Sequence, residues 1–114
     1  MHEMSYVVRF VNQAIESARE QNASCVKRIV VSVGEMTGVL PEYLYKYYPL
    51  AIKDTILDGS KLSVKMIPIQ VECSGCGKTY HPTREQRYLC PFCSDSRGRV
   101  VSGRDVILEQ IEVV

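Results

Sequence analysis

The sequence predicts an α+β fold: two helices on a three-stranded mixed sheet, with a four-cysteine, zinc-ribbon-like module inserted before the last strand. Three observations point there. Residues 4–22 and 41–58 repeat apolar side chains at helical spacing. Residues 27–34, 61–72 and 105–114 are rich in β-branched residues and read as strands. Four cysteines stand in two close pairs, Cys73-Ser74-Gly75-Cys76 and Cys90-Pro91-Phe92-Cys93, with thirteen residues between them. The expected division is residues 1–70 plus 105–114 as one domain and 71–104 as the inserted one.

Each element has a local reason. In the first helix Met4, Val7, Val8, Val11, Ala14, Ile15 and Ala18 follow the i, i+3, i+4, i+7 rule. Arg9, Gln13, Glu16 and Arg19 fall between them as a solvated face, and Asn22 is a fitting stop. Lys27 to Gly34 holds Ile29, Val30, Val31 and Val33, and Gly34 ends the run. Pro41 suits a first helical position and Gly59 the position past the end. Leu44, Tyr47, Tyr48, Ala51, Thr55 and Ile56 form the buried stripe of that second helix, and Pro49 inside it should kink or split it. In the long strand Leu62, Val64 and Met66 alternate, then Ile67, Ile69 and Val71 alternate on the other parity. That change of phase predicts a bulge or a switch of partner near Pro68. Asp105 to Val114 closes the chain as a last strand.

The cysteine spacing is metal-ligand spacing. A Cys-x-x-Cys turn brings two thiolates to one ion, and two facing turns complete a tetrahedral shell that suits zinc. Tetrahedral sulfur also admits iron, as an iron–sulfur cluster or a rubredoxin-like site. A disulfide framework is the bland alternative. It is disfavoured because it leaves Cys25 as an odd thiol and the N-terminus does not read as a signal peptide. Four cysteinates leave no open position for water or substrate, so the expected role is structural. The module needs such a staple. Its apolar residues are few (Tyr80, Tyr88, Leu89, Phe92, Val100 and Val101), too few for about thirty residues to fold unaided.

Length and charge narrow the rest. At 114 residues the chain is one ordinary domain, or a small domain with a stapled module. Its formal net charge of +1 is unevenly spread. Between Cys73 and Arg104 stand six basic and two acidic residues, a local charge of +4, which leaves −3 on the remainder. No apolar run approaches the roughly 18 residues of a membrane span. Reduced cysteines without an export signal suggest the cytoplasm. A nucleic-acid-binding ribbon is the second reading of the basic module, weakened by only Tyr80, Tyr88 and Phe92 for stacking and by the acidic remainder. No convergent acid/base pair, activated nucleophile or phosphate loop suggests an enzyme, and Glu35 and Glu42 read as solvated carboxylates. His81 reads as a surface group beside the module rather than a ligand, and Cys25 as a buried, inert thiol.

The chain begins Met1-His2-Glu3. The α-amine of Met1, the amide nitrogen of His2 and the His2 imidazole can close adjacent chelate rings on one ion. Three nitrogens in a plane suit Ni(II) or Cu(II), with a fourth position left for Glu3 or a partner. Read by itself, a histidine at this position is a solvated residue.

Taken together, these segments resemble the HypA/HybF family of hydrogenase nickel-incorporation proteins. The resemblance rests on Met1-His2-Glu3-Met4-Ser5, Val33-Gly34-Glu35, Pro41-Glu42 and Asp58-Gly59-Ser60-Lys61-Leu62. It continues through Cys73-x-x-Cys76-Gly77 and Cys90-Pro91-x-Cys93 to a short Ile/Val-rich end. It implies a nickel metallochaperone whose small nickel-binding domain takes Ni(II) as cargo. The recipient would be the large subunit of a [NiFe]-hydrogenase, reached with the help of a HypB-type GTPase. Similar proteins also serve urease maturation in some bacteria. His2 matches the nickel ligand, Glu3 the residue that supports nickel binding or transfer, and Cys73, Cys76, Cys90 and Cys93 the structural zinc ligands. The sequence departs from the family at Tyr45-Lys46-Tyr47-Tyr48-Pro49, where many relatives carry a Phe-rich stretch without proline.

Overall fold

A computed structural model describes residues 3–114. The elements are α1 (Glu3–Glu20), β1 (Val26–Gly34), a 3₁₀ turn (Glu35–Thr37), α2 (Pro41–Ile52), β2 (Lys61–Ile67), β3 (Gln70–Cys73), β4 (Thr79–Tyr80), β5 (Gly98–Ser102) and β6 (Val106–Val113). They form two three-stranded sheets, ordered β2-β1-β6 and β4-β3-β5. The chain packs as two units. One takes in the chain up to Val33, with Val39–Lys65 and Val106–Val114; the other takes Gly34–Gly38 and Met66–Asp105. Among the described residues no helix is long and apolar enough to cross a membrane.

The first unit is built by period. From α1 it buries Val7, Phe10, Val11, Ala14 and Ala18; from α2, Leu44, Tyr48 and Ile52; from β1, Val26, Ile29, Val31 and Val33. Each large aliphatic or aromatic side chain removed from water contributes about 1.5–3 kcal/mol. Phe10 is the deepest aromatic, at 1% exposure, while Val8 stands 46% exposed on the other face of the helix. Phe10 meets Tyr48 with ring centroids 6.3 Å apart, and the Tyr48 hydroxyl lies 2.7 Å from Ser60 Oγ. β1 and β6 run antiparallel, Val33 opposite Val106 and Val26 opposite Val113. Val31 faces Leu108 and Val30 faces Gln110, so Glu109 is an extra residue on β6.

Two expectations, the end of the second helix and the burial of Cys25, are corrected, and one, the break near Pro68, is met. The second helix ends at Ile52, not near residue 58. It runs across Pro49 without being split there, and stops where Lys53 turns extended (φ −55°, ψ 133°) and Asp54 takes φ 63°. Thr55 then caps it, its hydroxyl donating to the Ile52 carbonyl at 2.6 Å. The apolar residues beyond are used differently: the Ile56 carbonyl accepts the Val26 N–H, and Leu57 is fully buried in a turn. The long strand ends at Ile67, and Pro68-Ile69 separate β2 in one sheet from β3 in the other, the partner switch that the change of parity suggested. Cys25 is exposed, not buried.

In the second unit β3 is central, with Val71 opposite Tyr80 on one side and Val100 on the other. The buried cluster is small: Cys73, Tyr80 and Cys90, with Val71 packed against them. Gly34 lies against the backbone of Gly103 and Arg104, so a Cβ there would strike the Gly103 carbonyl group. Glu35 accepts the Ile69 N–H at 2.9 Å, and His81 Nδ1 lies 2.8 Å from the Ile69 carbonyl.

Candidate metal centre

The two Cys-x-x-Cys turns have the same backbone plan. Cys73 receives the Gly75 N–H on its sulfur at 3.3 Å and the Gly77 N–H on its carbonyl at 2.9 Å, and donates its own N–H to the Lys78 carbonyl at 2.9 Å. Cys90 repeats this with Phe92 at 3.4 Å, Ser94 at 2.8 Å and the Asp95 carbonyl at 3.1 Å. Each turn therefore aims an N–H at a sulfur, which favours its thiolate form. The plan requires a left-handed residue one past the second cysteine. Gly77 fills it at φ 75° without strain; Ser94 fills it at φ 64° with a Cβ. Ser94→Gly should leave zinc content unchanged and raise the stability of the zinc-loaded protein by about 0.5 kcal/mol, since relief of the left-handed strain exceeds the added chain entropy. Gly77→Val should lower stability by about 1–2 kcal/mol. Thermal unfolding of the two variants beside the parent checks both signs.

The four sulfurs converge. All lie within 4.8 Å of one another, with Cys73 and Cys93 at 3.5 Å and Cys76 and Cys90 at 3.7 Å. A tetrahedron of sulfurs about 2.3 Å from zinc has edges of about 3.8 Å, so the cluster has the size that zinc requires. A disulfide needs about 2.05 Å, which neither of these contacts approaches. Cys73 and Cys90 are buried, while Cys76 and Cys93 reach the surface. The donor set fits a closed four-thiolate site, and a dication there would supply charge that lets all four thiols ionise.

Without that charge the thiols resist sharing protons equally. Burial works against the Cys90 thiolate, yet the N–H groups of Phe92 and Cys93 and two neighbouring thiols hold its pKa down to about 7. At Cys93 the N–H of Asp95 favours the thiolate, but Cys73, burial and the other sulfurs push the pKa up to about 12. Around the sulfurs the protein supplies positive charge. Arg97 donates from Nε at 3.2 Å and Nη2 at 3.0 Å to Asp95, whose carboxyl this pair holds down to about 2. The Lys78 ammonium lies 4.6 Å from the centroid of the Phe92 ring. Four thiolates holding one dication would carry a net charge of about −2, so roughly half of the module's +4 would offset such a site. That further weakens the nucleic-acid reading.

Asp95 is a supporting residue that spacing alone does not mark. It closes the second turn through its carbonyl and neutralises Arg97, and a Cβ on Gly75 would come 2.6 Å from its carboxylate. Its only sequence signal is its place two residues after Cys93. His81 and Glu35 lie together and are not part of the four-sulfur group, with Nδ1 and Oε1 3.8 Å apart and both side chains exposed. Glu3 is the first residue of α1 and is partly buried. Met1 and His2, which carry the proposed nitrogen ligands for nickel, lie outside the described residues.

Comparison with known proteins agrees with this architecture. The hydrogenase maturation factor HypA of Aquifex aeolicus strain VF5 is 31% identical over 113 residues, covering 99% of this chain and 97% of the relative. That of Methanocella arvoryzae is 34% identical, over 99% and 98%. The solution structure of the Ni metallochaperone HypA from Helicobacter pylori aligns at a TM-score of 0.75 and 20% identity, covering all of this chain and 98% of that one, and so shares the fold. A family model described as hydrogenase/urease nickel incorporation, metallochaperone, hypA, matches residues 1–113. With the fold, the four-cysteine centre and a match over nearly the whole length in agreement, the chain belongs to the HypA family of nickel-incorporation metallochaperones.

Proposed function

We propose that this chain carries Ni(II) as cargo, held by the α-amine of Met1, the amide nitrogen and imidazole of His2, and Glu3. It passes the ion toward the large subunit of a [NiFe]-hydrogenase with a HypB-type GTPase. Urease maturation proteins are a second class of recipient. Residues 1–70 plus 105–114 form the nickel domain, of which Gly34–Gly38, residues 66–70 and Asp105 pack with the second unit. Residues 71–104 hold structural zinc on Cys73, Cys76, Cys90 and Cys93, in the reducing cytoplasm. The reading rests on one observation above the others: the family match begins at residue 1 and takes in Met1-His2-Glu3. The chemistry supports it. Two adjacent chelate rings on planar nitrogens favour Ni(II), and a fourth position lets the ion leave. Helix α1 starts at Glu3, so the ion would lie near the positive end of a helix. A deprotonated amide and the Glu3 carboxylate reduce the charge of the complex and relieve that conflict.

The test is a nickel titration of untagged protein. It should bind about one Ni(II) per chain. Protein carrying extra residues ahead of Met1 should bind at least tenfold more weakly, because the α-amine has become an amide. Equal affinity in the two proteins would remove the amine from the nickel shell.

A further inference from the structure

The sheet β2-β1-β6 ends in a strand that has a neighbour on one side only among the described residues. The Asp105 carbonyl accepts the Gly34 N–H at 2.8 Å, so it points toward β1. Backbone polar groups alternate sides along a strand, which turns those of Val106 and Leu108 outward. Arg9 marks that side, since its guanidinium donates to the Val106 carbonyl at 3.0 Å. Two clefts follow this edge. One, of about 400 Å³, lies between Arg9 and Gln13 of α1 and Val106–Leu108 of β6. The next, of about 130 Å³, continues from Leu108 to Ser17 and Ile111. An edge of eight residues rich in Val, Ile and Leu is a template for another strand.

The charges along the edge say what kind of strand fits. Glu112 is neutralised by Arg28 at 2.6 Å. Among the described residues Glu109, exposed, accepts a bond from the neutral Ser32 hydroxyl at 2.9 Å and has no ion pair. Arg9 meets a carbonyl and the face of the Tyr6 ring at 5.2 Å, both neutral. We propose that the free edge of β6 docks an extended segment of a partner protein, which adds a fourth strand to the sheet. That segment carries an acidic residue near Arg9 and a basic residue near Glu109. A second copy of this chain fits worse. Antiparallel pairing of two β6 strands about Leu108 sets the two Glu109 carboxylates diagonally on one face, where like charges repel.

The test uses the full-length, zinc-loaded protein, labelled for amide NMR. The probes are the peptide acetyl-Asp-Val-Thr-Lys-Val-amide and its reversed sequence, which cover both strand directions. One of them should shift the amides of residues 106–111 with a Kd below about 1 mM. An added edge strand bonds the sheet through alternate residues only. N-methylation of one alternate set of peptide nitrogens should therefore weaken binding at least tenfold, and methylation of the other set should not. The proposal is overturned if neither peptide shifts these amides, or if both methylated forms bind like the parent. It is equally overturned if sedimentation shows that the free protein already pairs with itself through β6.

Discussion

Replacing His2 by alanine should abolish tight nickel binding while zinc stays at one ion per chain. In the proposed site the imidazole would close the second of two chelate rings, and without it the α-amine and one amide nitrogen would remain. An amide proton leaves only when the ion is already anchored on both sides, so removing the anchor costs the amide ligand as well. The loss should exceed 100-fold in affinity, more than 2.7 kcal/mol by the usual conversion. Glu3→Gln should cost far less, since it removes one charge at the start of α1 and leaves all three nitrogens. The measurement is calorimetric nickel titration of untagged protein, with metal analysis of each variant. Nickel affinity unchanged in His2→Ala would end the N-terminal assignment. A parallel fall in zinc would show a general loss of structure instead of a lost ligand.

What the sequence made legible differs from residue to residue, for physical reasons. The four cysteines were readable because ligand spacing is local: each turn is set by its own backbone plan, and the sulfurs meet within 4.8 Å. β1 and β6 were readable because a run of β-branched residues has few other uses. The end of α2 was not. Ile56 and Leu57 continue the apolar period, but their burial is in a turn fastened to Val26 and not in a helix. The periodic reading of α1 leaves out Phe10, which is buried, and includes Val8, which lies on the exposed face. β4 and β5 are strands only because β3 stands between them, a tertiary fact that two and five residues cannot announce. The free edge of β6 is likewise a property of strand order. No pattern within Val106–Val113 says which neighbour it lacks.

Removing zinc should melt the second unit and leave the first folded. The asymmetry lies in the cores. Among the described residues the first unit buries fifteen apolar side chains, from both helices, the sheet and the connections that hold Val39 and Leu57, whereas the second buries Cys73, Tyr80 and Cys90, two of which belong to the four-sulfur cluster. Without metal those two sulfurs are a poor core. The neighbouring sulfurs that push the Cys93 pKa up to about 12 remain crowded together with no ion between them. Metal binding supplies on the order of 10–16 kcal/mol in small zinc peptides, far more than four partly apolar side chains can provide. Cys90→Ser should therefore lose zinc, because the hydroxyl stays protonated and offers a hard, neutral oxygen where a soft thiolate is needed. In hydrogen exchange, amides of Val71–Cys73 and Val100–Ser102 should lose at least 100-fold of protection in this variant, or in the parent stripped by a strong chelator. Amides of Ile29–Val31 should keep theirs. Protection of β3 and β5 that survives zinc removal would mean that the module folds on its own contacts and that the four sulfurs are not its staple. Loss at Ile29–Val31 as well would mean that the two units unfold as one.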